Sequence, residues 1–184
     1  MNIIEGEIPG LLIIAPDIYF DDRGYFFESY NEEKLALAGF PFRFVQDNES
    51  CSKKGVIRAL HFQHPPYEQG KLVRVVSGNI IDVAVDIRKG SPWYGKYQKV
   101  FLSAENKKQF WVPSGFAHGF AAMDENTIVS YKCTSHYHKA SEDSIIWSDP
   151  DLNIDWGVKT PVVSDRDAEA QRFSTFESKF IYSV

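Results

Sequence analysis

Apolar and polar residues alternate with a period of two along much of this chain. Residues 81–88 give the clearest example, with two alternating sets on opposite faces of an extended backbone: Ile81, Val83, Val85 and Ile87 on one face, and Asp82, Ala84, Asp86 and Arg88 on the other. A β-strand has this period, whereas an amphipathic helix repeats every ~3.6 residues. The pattern therefore predicts a protein built mainly from β-strands.

Several other short segments carry a strand signal and are separated by turn residues. We expect strands at residues 11–16, 42–50, 98–102, 109–112, 127–134 and 142–147, and an aromatic strand after a turn at residues 22–24. A Ser-Gly turn at residues 77–78 separates two further runs, which we interpret as a β-hairpin. Many short strands of regular spacing are typical of an antiparallel sandwich or barrel. We therefore predict an all-β, double-sheet jelly roll with a ligand cavity at one end, formed as a single domain by residues 1–184.

Two short helices are expected beside the strands. Asn31 can cap a helix over residues 31–39, which Pro41 prevents from continuing. Ser164 can cap a second short helix in the C-terminal part of the chain. The segment Gln-Asp-Asn at residues 46–48 gives an apolar strand a polar end, and these residue types locally favour a turn.

The composition narrows the class of protein and its partners. With 184 residues, of which 43% are hydrophobic, the chain is long enough to bury a core. Its net charge of -5 argues against a nucleic acid as partner, although a few placed cationic side chains can still bind one small phosphorylated ligand. The first ten residues lack the features of a signal peptide, and no apolar run is long enough to span a membrane. With Cys51 and Cys133 interpreted as free thiols, we expect a soluble, cytoplasmic protein.

Two polar residues lie in strongly apolar runs. His61 lies between Leu60 and Phe62, and Lys71 begins the next apolar run. A single histidine of this kind is most often a satisfied core residue, but His118 lies in an equally aromatic segment and weakens that interpretation. Histidine, lysine and tyrosine in one pocket would suit abstraction of a proton next to a carbonyl, with the imidazole as base, the cation stabilising the enolate and the phenol returning a proton. A carboxylate on the second ring nitrogen would fix the imidazole tautomer.

A metal site is the competing interpretation of the histidines. The candidate ligands are His61, His64, Glu68 and His118. Ligands in a small β-barrel would most simply lie two residues apart on one strand face, and the residue two after His61 is Gln63. We therefore expect no metal. By the same rule, Arg58 can share a pocket with His61 only if the strand twists, bulges or lies at the cavity edge.

Eight sequence strings, in order between about residues 20 and 167, resemble the dTDP-4-dehydrorhamnose 3,5-epimerase family. They are FDDRGYFFESYN, QDNES, GVIRALHFQ, KLVRVVSG, DVAVDIRKGSPWYG, VPSGFAHGF, YKCTSHY and SDRD. The resemblance implies a cupin-type jelly roll with short flanking helices, a homodimer, and an isomerase that uses neither a metal nor a cofactor. It implies that dTDP-4-dehydro-6-deoxy-α-D-glucose is converted to dTDP-4-dehydro-β-L-rhamnose by inversion of C3 and C5, a step of dTDP-L-rhamnose biosynthesis.

The resemblance also assigns roles to individual residues. The histidine of RALHFQ makes His61 the general base, and the last residue of SDRD makes Asp167 the carboxylate that orients it. The lysine of KLVRVV makes Lys71 a substrate contact at the developing enolate oxygen. In YKCTSHY, the first tyrosine, Tyr131, is the proton donor and the last, Tyr137, is the ring that stacks on thymine.

Further residues match substrate-binding positions of the family. Nucleotide binding is implied for Arg23, Glu28, Gln46, Asp47 and Asn48, and substrate binding for Arg58, Lys71, His118, Tyr137, Glu142 and Arg166. A guanidinium fork matches paired phosphate oxygens, so Arg58 and Arg166 suit the pyrophosphate. Whether Arg23 and Glu28 serve their own subunit or the partner's stays open. Ala59 departs from the family, which usually has glycine there, and we expect its methyl group to tighten the pocket floor.

Three alternatives share most of these residues. A relative that inverts only C3, or that acts on another nucleotide-deoxysugar, would use the same set. A non-catalytic cupin that binds sugar nucleotides would not need His61, Asp167, Lys71 and Tyr131 together. A metal-dependent cupin oxygenase or isomerase would need a metal, for which analysis of the purified protein is a direct test.

Overall fold

The computed structural model describes residues 1–183 and consists mainly of β-strands. In chain order the strands are β1 (Asn2–Glu5), β2 (Leu12–Ala15), β3 (Ile18–Asp21), β4 (Gly24–Phe27), β5 (Gln46–Ser52), β6 (Ile57–Gln63), β7 (Lys71–Ser77), β8 (Asn79–Asp86), β9 (Tyr97–Ser103), β10 (Gln109–Val112), β11 (Phe116–Ala122), β12 (Thr127–Cys133) and β13 (Glu142–Ser144). The helices are α1 (Glu32–Leu37) and α2 (Asp165–Ala168), with 3₁₀ turns at Lys139–Ser141 and Phe173–Thr175.

The strands form two antiparallel sheets and a separate hairpin. Six strands pair in the order β1-β2-β10-β7-β12-β5, five pair in the order β13-β6-β11-β8-β9, and β3 pairs with β4. Apolar residues of both sheets meet in one buried cluster, in which Val73 and Phe110 of the first sheet pack with Phe116 and Phe120 of the second. The sheets therefore face each other as the two layers of a jelly roll. This mainly β, cupin-type architecture with short helices confirms the predicted fold class.

The outer faces of both sheets are covered as well. Residues that follow β13, among them Trp156, Phe176 and Phe180, pack over the outer face of the five-stranded sheet. Leu35 of α1 packs with Trp111 against the outer face of the six-stranded sheet. A strand in the middle of such a sheet is buried on both sides, which is why every residue of β11 is buried.

The hairpin predicted around Ser77 and Gly78 is wrong. The two strands that this turn connects belong to different sheets: β7 pairs with β10 and β12, and β8 pairs with β9 and β11. Gly78 has a φ of 75°, so the turn residues do have the expected chemistry. They form a corner between the layers, because each strand pairs with partners that are distant in the sequence.

Two predicted strands are shorter than expected. The strand predicted at residues 42–50 begins only at Gln46, because the rings of Phe42 and Phe44 leave the sheet and pack against Trp111. The polar segment 46–48 is not a turn but the start of β5, which pairs with β12. The last predicted strand, residues 142–147, keeps ladder pairing only over Glu142–Ser144.

Both predicted helices are present with their caps. Asn31 accepts a hydrogen bond from the main-chain N–H of Lys34 at the start of α1, and Ser164 accepts one from Asp167 at the start of α2. Among residues 1–183, the helices are all too short to cross a membrane. The capped first turn of the second helix holds Asp167 in a buried position.

Candidate active site

A polar cavity lies within the jelly roll and is shared by strands of both sheets. Its volume is about 190 Å³, and it is lined by Ser50, Arg58, His61, Lys71, His118, Phe120 and Tyr131. The structure thus brings together the histidine, lysine and tyrosine that the sequence suggested for proton abstraction. A second, adjoining cavity shares Arg58 and His61 and is also lined by Arg166 and Asp167.

His61 and Asp167 form a hydrogen-bonded pair at the junction of these cavities. His61 Nε2 donates to Asp167 Oδ1 over 2.7 Å, which leaves Nδ1 as the nitrogen that can accept a proton. The side chain of Asp167 is only 6% exposed, against 29% for His61. Burial opposes ionisation of Asp167, but the hydrogen bonds from His61 and from the main-chain N–H of Ala59, with the charge of Arg166, outweigh it and lower the pKa of this carboxyl below its usual value. The carboxylate is therefore ionised at neutral pH and fixes the imidazole tautomer.

A β-bulge explains how Arg58 and His61 line the same cavity. In the pairing of β6 with β11, His118 is opposite His61 and Phe120 is opposite Arg58, so three steps along β6 match two along β11. The extra residue shifts the side-chain alternation by one, as a bulge does. The Ala59–Leu60 peptide bond in this segment is cis. The methyl group of Ala59 belongs to the outer cluster beneath the C-terminal segment, so the prediction that it tightens the pocket floor is wrong.

Lys71 and Tyr131 provide a cation and a phenol in the same cavity. Lys71 Nζ donates to the main-chain carbonyl oxygen of His61 over 3.3 Å. Burial lowers the pKa of Lys71, because its charged form loses solvation there. Burial raises the pKa of Tyr131, with a further contribution from Cys133, so this phenol keeps its proton at neutral pH. One group is thus suited to stabilise a developing negative charge and the other to donate a proton.

A second histidine–aspartate pair lies beside the first. His118 Nε2 donates to Asp82 Oδ1 over 2.6 Å, and both side chains are buried. His118 was predicted as a substrate contact, but the sequence reasoning missed Asp82. The alternation in residues 81–88 could have indicated Asp82, because it places this residue on the face opposite the apolar one. That face turned out to point into the jelly roll.

The rim of the cavity carries a linked set of polar side chains. Tyr137 donates its hydroxyl to Glu142 Oε2 over 2.7 Å, and Arg166 Nη1 lies 2.9 Å from the same oxygen. Burial opposes ionisation of Glu142, but Arg166 and Tyr137 together lower its pKa below the usual value. The ring of Tyr137 is exposed and free to contact a ligand.

Strand β5 contributes two of the predicted nucleotide-binding residues to this side of the molecule. Gln46 accepts a hydrogen bond from the main-chain N–H of Tyr137 over 2.8 Å and donates to Asn48 over 3.1 Å. Asp47 alternates to the other face, where its carboxylate pairs with Lys132 over 3.0 Å. Hydrogen bonds therefore link Gln46 and, through it, Asn48 to Tyr137, whereas Asp47 points away from it.

Arg23 and Glu28 are not brought to the cavity of this chain. Arg23 lies on the β3–β4 hairpin, where its side chain is 90% exposed and pairs with Asp21. Glu28 follows the hairpin and forms an ion pair with Lys34 over 2.8 Å. Their predicted roles in nucleotide binding require a site formed with another subunit or a different arrangement of the hairpin.

The alternative metal ligands are dispersed in the structure. His64 lies on the opposite side of β6 from the cavity, where Nε2 donates to Asp143 over 3.0 Å and the ring stacks on Phe176 and Phe180. Within residues 1–183, no group of three His, Cys, Asp or Glu side chains is arranged to hold a metal ion.

Comparison with known proteins identifies the family of this chain. The profile of the dTDP-4-dehydrorhamnose 3,5-epimerase family matches residues 5–175. The chain belongs to the dTDP-4-dehydrorhamnose 3,5-epimerase family. A relative with that name from Shigella flexneri is 51% identical over 174 residues, which cover 94% of this chain and 96% of that protein. The protein is thus an isomerase of the epimerase class, as the sequence strings implied.

Solved structures of the epimerase family agree with the fold along the whole chain. The crystal structure of dTDP-6-deoxy-D-glucose-3,5-epimerase from Legionella pneumophila, in complex with dTDP-4-keto-L-rhamnose, has a TM-score of 0.95 and 47% identity, and covers 100% of this chain and 99% of that one. A 3'-monoepimerase from Streptomyces bikiniensis, in complex with dTDP-quinovose, has a TM-score of 0.89 and 33% identity, and covers 93% of this chain and 87% of that one. The family fold therefore accommodates both double and single inversion.

Proposed function

We propose that the protein is a dTDP-4-dehydrorhamnose 3,5-epimerase. It inverts C3 and C5 of dTDP-4-dehydro-6-deoxy-α-D-glucose to give dTDP-4-dehydro-β-L-rhamnose, in the synthesis of dTDP-L-rhamnose. The observation that carries the proposal is the His61–Asp167 pair, whose histidine lines one cavity with Lys71 and Tyr131. Stronger identity to 3,5-epimerases than to the 3'-monoepimerase also favours double inversion.

The proposed reaction needs only acid–base chemistry, because the C4 ketone acidifies the C–H bonds on both sides. His61 removes the proton from C3 or C5, and the electron pair of that bond moves to the C4 oxygen as an enolate. Lys71 donates a hydrogen bond to this oxygen and stabilises its charge. Tyr131 then delivers a proton to the opposite face of the same carbon, which inverts it. Solvent then removes the proton that His61 has gained and returns a proton to Tyr131 before the second carbon reacts.

Arginines and an aromatic ring would bind the nucleotide part. Arg58 and Arg166 line the cavity that adjoins His61, and their guanidinium groups suit the two phosphates of dTDP. The exposed ring of Tyr137 would stack on thymine, with Gln46 and Asn48 beside it. His118, held by Asp82, and Glu142 would contact the substrate between these two ends.

We also propose that the active form is a homodimer that works in the cytoplasm. The hairpin β3–β4 exposes aromatic rings on both of its faces, since Tyr19, Phe20, Tyr25 and Phe26 are 65%, 76%, 54% and 70% exposed. A lone two-stranded hairpin is marginally stable in water, so a second subunit is the natural cover for it. Such packing would carry Arg23 towards the partner's cavity. Both cysteines are free, as is usual in a reducing compartment.

Proton exchange with solvent tests the reaction directly. The protein is incubated with dTDP-4-dehydro-6-deoxyglucose in deuterium oxide, and C3 and C5 are followed by NMR while a reductase traps the L-rhamno product. We expect deuterium and inversion at both carbons. His61→Ala should lose about 10²- to 10⁴-fold in rate while still binding dTDP. His64→Ala is the matched control and should retain its activity, because His64 lies outside the cavity.

The remaining outcomes separate the alternatives. Deuterium and inversion at C3 alone would identify a 3-epimerase instead. No exchange at either carbon, in folded protein that still binds dTDP, would leave another sugar nucleotide or a binding protein and would exclude the mechanism. Near-normal activity of His61→Ala would remove His61 from the role of base.

A further inference from the structure

Gln63 is a buried amide located two residues after the proposed base. It ends strand β6, is only 4% exposed, and lies opposite Glu142 in the pairing of β6 with β13. Within residues 1–183, the hydrogen bonds of its side chain all go to main-chain atoms. Nε2 donates to the carbonyl oxygens of Tyr67 over 2.6 Å and of His136 over 3.3 Å, and Oε1 accepts from the N–H of His138 over 2.8 Å.

These hydrogen bonds bracket Tyr137 on both sides. The segment that carries Tyr137 lies between β12 and the 3₁₀ turn and is outside the regular sheet ladder. Gln63 holds the residue before Tyr137 and the residue after it, while Gln46 accepts from the N–H of Tyr137 itself. The rings of Tyr67 and His138 stack at 3.7 Å with an interplanar angle of 11°, which joins the two loops that Gln63 connects.

We propose that Gln63 is a positioning residue for the nucleobase of the substrate. Its amide fixes the main chain on either side of Tyr137, and thereby sets the height and orientation of the ring over which thymine stacks. This inference rests on the proposed function, because it assumes that Tyr137 is a nucleobase platform. Gln63 itself does not contact the reacting carbons.

The chemistry of the site requires an amide at this position. The three main-chain groups need two donors and one acceptor from a single buried side chain, and glutamine supplies all of them. An apolar side chain of similar size would fill the space but would leave two carbonyl oxygens and one N–H without their partner. Because His61 and Gln63 share one strand, the base and the nucleobase platform are also held at a fixed spacing along the substrate.

The test separates binding of the nucleotide from the chemical step. We expect Gln63→Leu to raise the Kd for dTDP, measured by calorimetry, and the KM for the substrate by about tenfold, while kcat changes less than threefold. The matched control is Gln98→Leu, which removes a buried glutamine that bonds the main-chain N–H of Glu7 at 2.8 Å, away from the cavity. This control should leave Kd, KM and kcat unchanged. Gln63→Asn keeps the amide but shortens the side chain by one methylene group, and should give an intermediate Kd.

A double-variant comparison excludes a merely structural role. If Gln63 acts through the Tyr137 ring, Gln63→Leu added to Tyr137→Ala should weaken dTDP binding no further than Tyr137→Ala alone. Additive losses, or an unchanged Kd in Gln63→Leu, would overturn the inference. Should Gln63→Leu not fold, Gln63→Asn provides the same comparison. Wild-type protein that binds no dTDP would instead overturn the proposed function, so the two failures are distinguishable.

Discussion

Lys71 places an ammonium group inside an apolar jelly roll, and this has opposite effects on stability and on the proposed chemistry. Its only described hydrogen bond in residues 1–183 goes to the carbonyl oxygen of His61. Burial lowers its pKa, so the unfolded state binds more protons between the folded and unfolded pKa values. Stability therefore rises with pH through that window, and at neutral pH the buried lysine costs stability.

Replacing this lysine should separate the two effects. We expect Lys71→Met to stabilise the fold by about 1 kcal/mol, which corresponds to a rise in Tm of about 2–4 °C, because the cost of burying the amine is removed. Turnover should fall about 10²- to 10³-fold, as when one oxyanion donor is lost. Thermal unfolding and the epimerase assay measure both. Lys99→Met, which removes an exposed ion pair with Asp155, should change neither appreciably. A lower Tm in Lys71→Met would contradict this account.

At the scale of single strands, local sequence indicated most of the strands but not which strand each one pairs with. Side-chain period correctly indicated a strand in residues 81–88, and β10 has the span predicted for a strand that ends before Pro113. The Ser77-Gly78 turn was assigned to the wrong structure because a hairpin turn and a corner between sheets use the same residue types. Residues 46–48 became a strand because the ladder with β12 outweighs their local preference for a turn. Such partners are set by contacts distant in the sequence.

Strands β11 and β6 pack so closely at Gly119 that the addition of one methyl group there should disturb the contact. A Cβ added to Gly119 would overlap the Cβ of Ala59 and lie 2.8 Å from Ala59 Cα and from the carbonyl oxygen of Arg58. We expect Gly119→Ala to cost about 1–3 kcal/mol and to lower Tm correspondingly, because the bulged strand must shift. Its turnover should fall as well, since that strand carries Arg58 and His61.

The matched variant removes the opposing methyl group. Adding Ala59→Gly to Gly119→Ala should recover part of the lost Tm, because the Cβ overlap disappears while the closeness to the backbone remains. Thermal unfolding of the two single variants and the double variant gives the coupling between the positions. Strictly additive changes in Tm would show that the two residues do not restrict each other.

At the scale of the whole molecule, the sequence and the resemblance identified most of the cavity. His61, Lys71, His118 and Tyr131 line it as expected, and Asp167 reaches His61 from the C-terminal segment. Asp82 was missed because strand period cannot tell which face points inward. Arg23 and Glu28 match family positions in the sequence, but the fold of this chain places them away from the cavity, paired with Asp21 and Lys34. Their proposed role depends on a second subunit.

The exposed β3–β4 hairpin allows a direct test of whether the site depends on a second subunit. We expect the double variant Phe20→Asp/Phe26→Asp to be monomeric in sedimentation velocity, with a dimer dissociation constant at least about 10²-fold higher, because charged groups replace two large apolar contacts. Its epimerase activity should fall in parallel. Ile181→Asp changes a residue that is also 70% exposed but lies outside the hairpin, and should remain dimeric. A hairpin variant that stays dimeric would place the interface elsewhere.

The distance between His61 and Asp167 along the chain determines when this pair can form during synthesis of the protein. His61 and Asp167 are separated by 106 positions, and Asp167 is carried by the segment that covers the five-stranded sheet from outside. On the ribosome, His61, Lys71 and Tyr131 therefore emerge long before the carboxylate that sets the tautomer of the base. With His61 as the proposed base, we therefore expect full proton-transfer activity only after translation has passed α2 and that segment has docked.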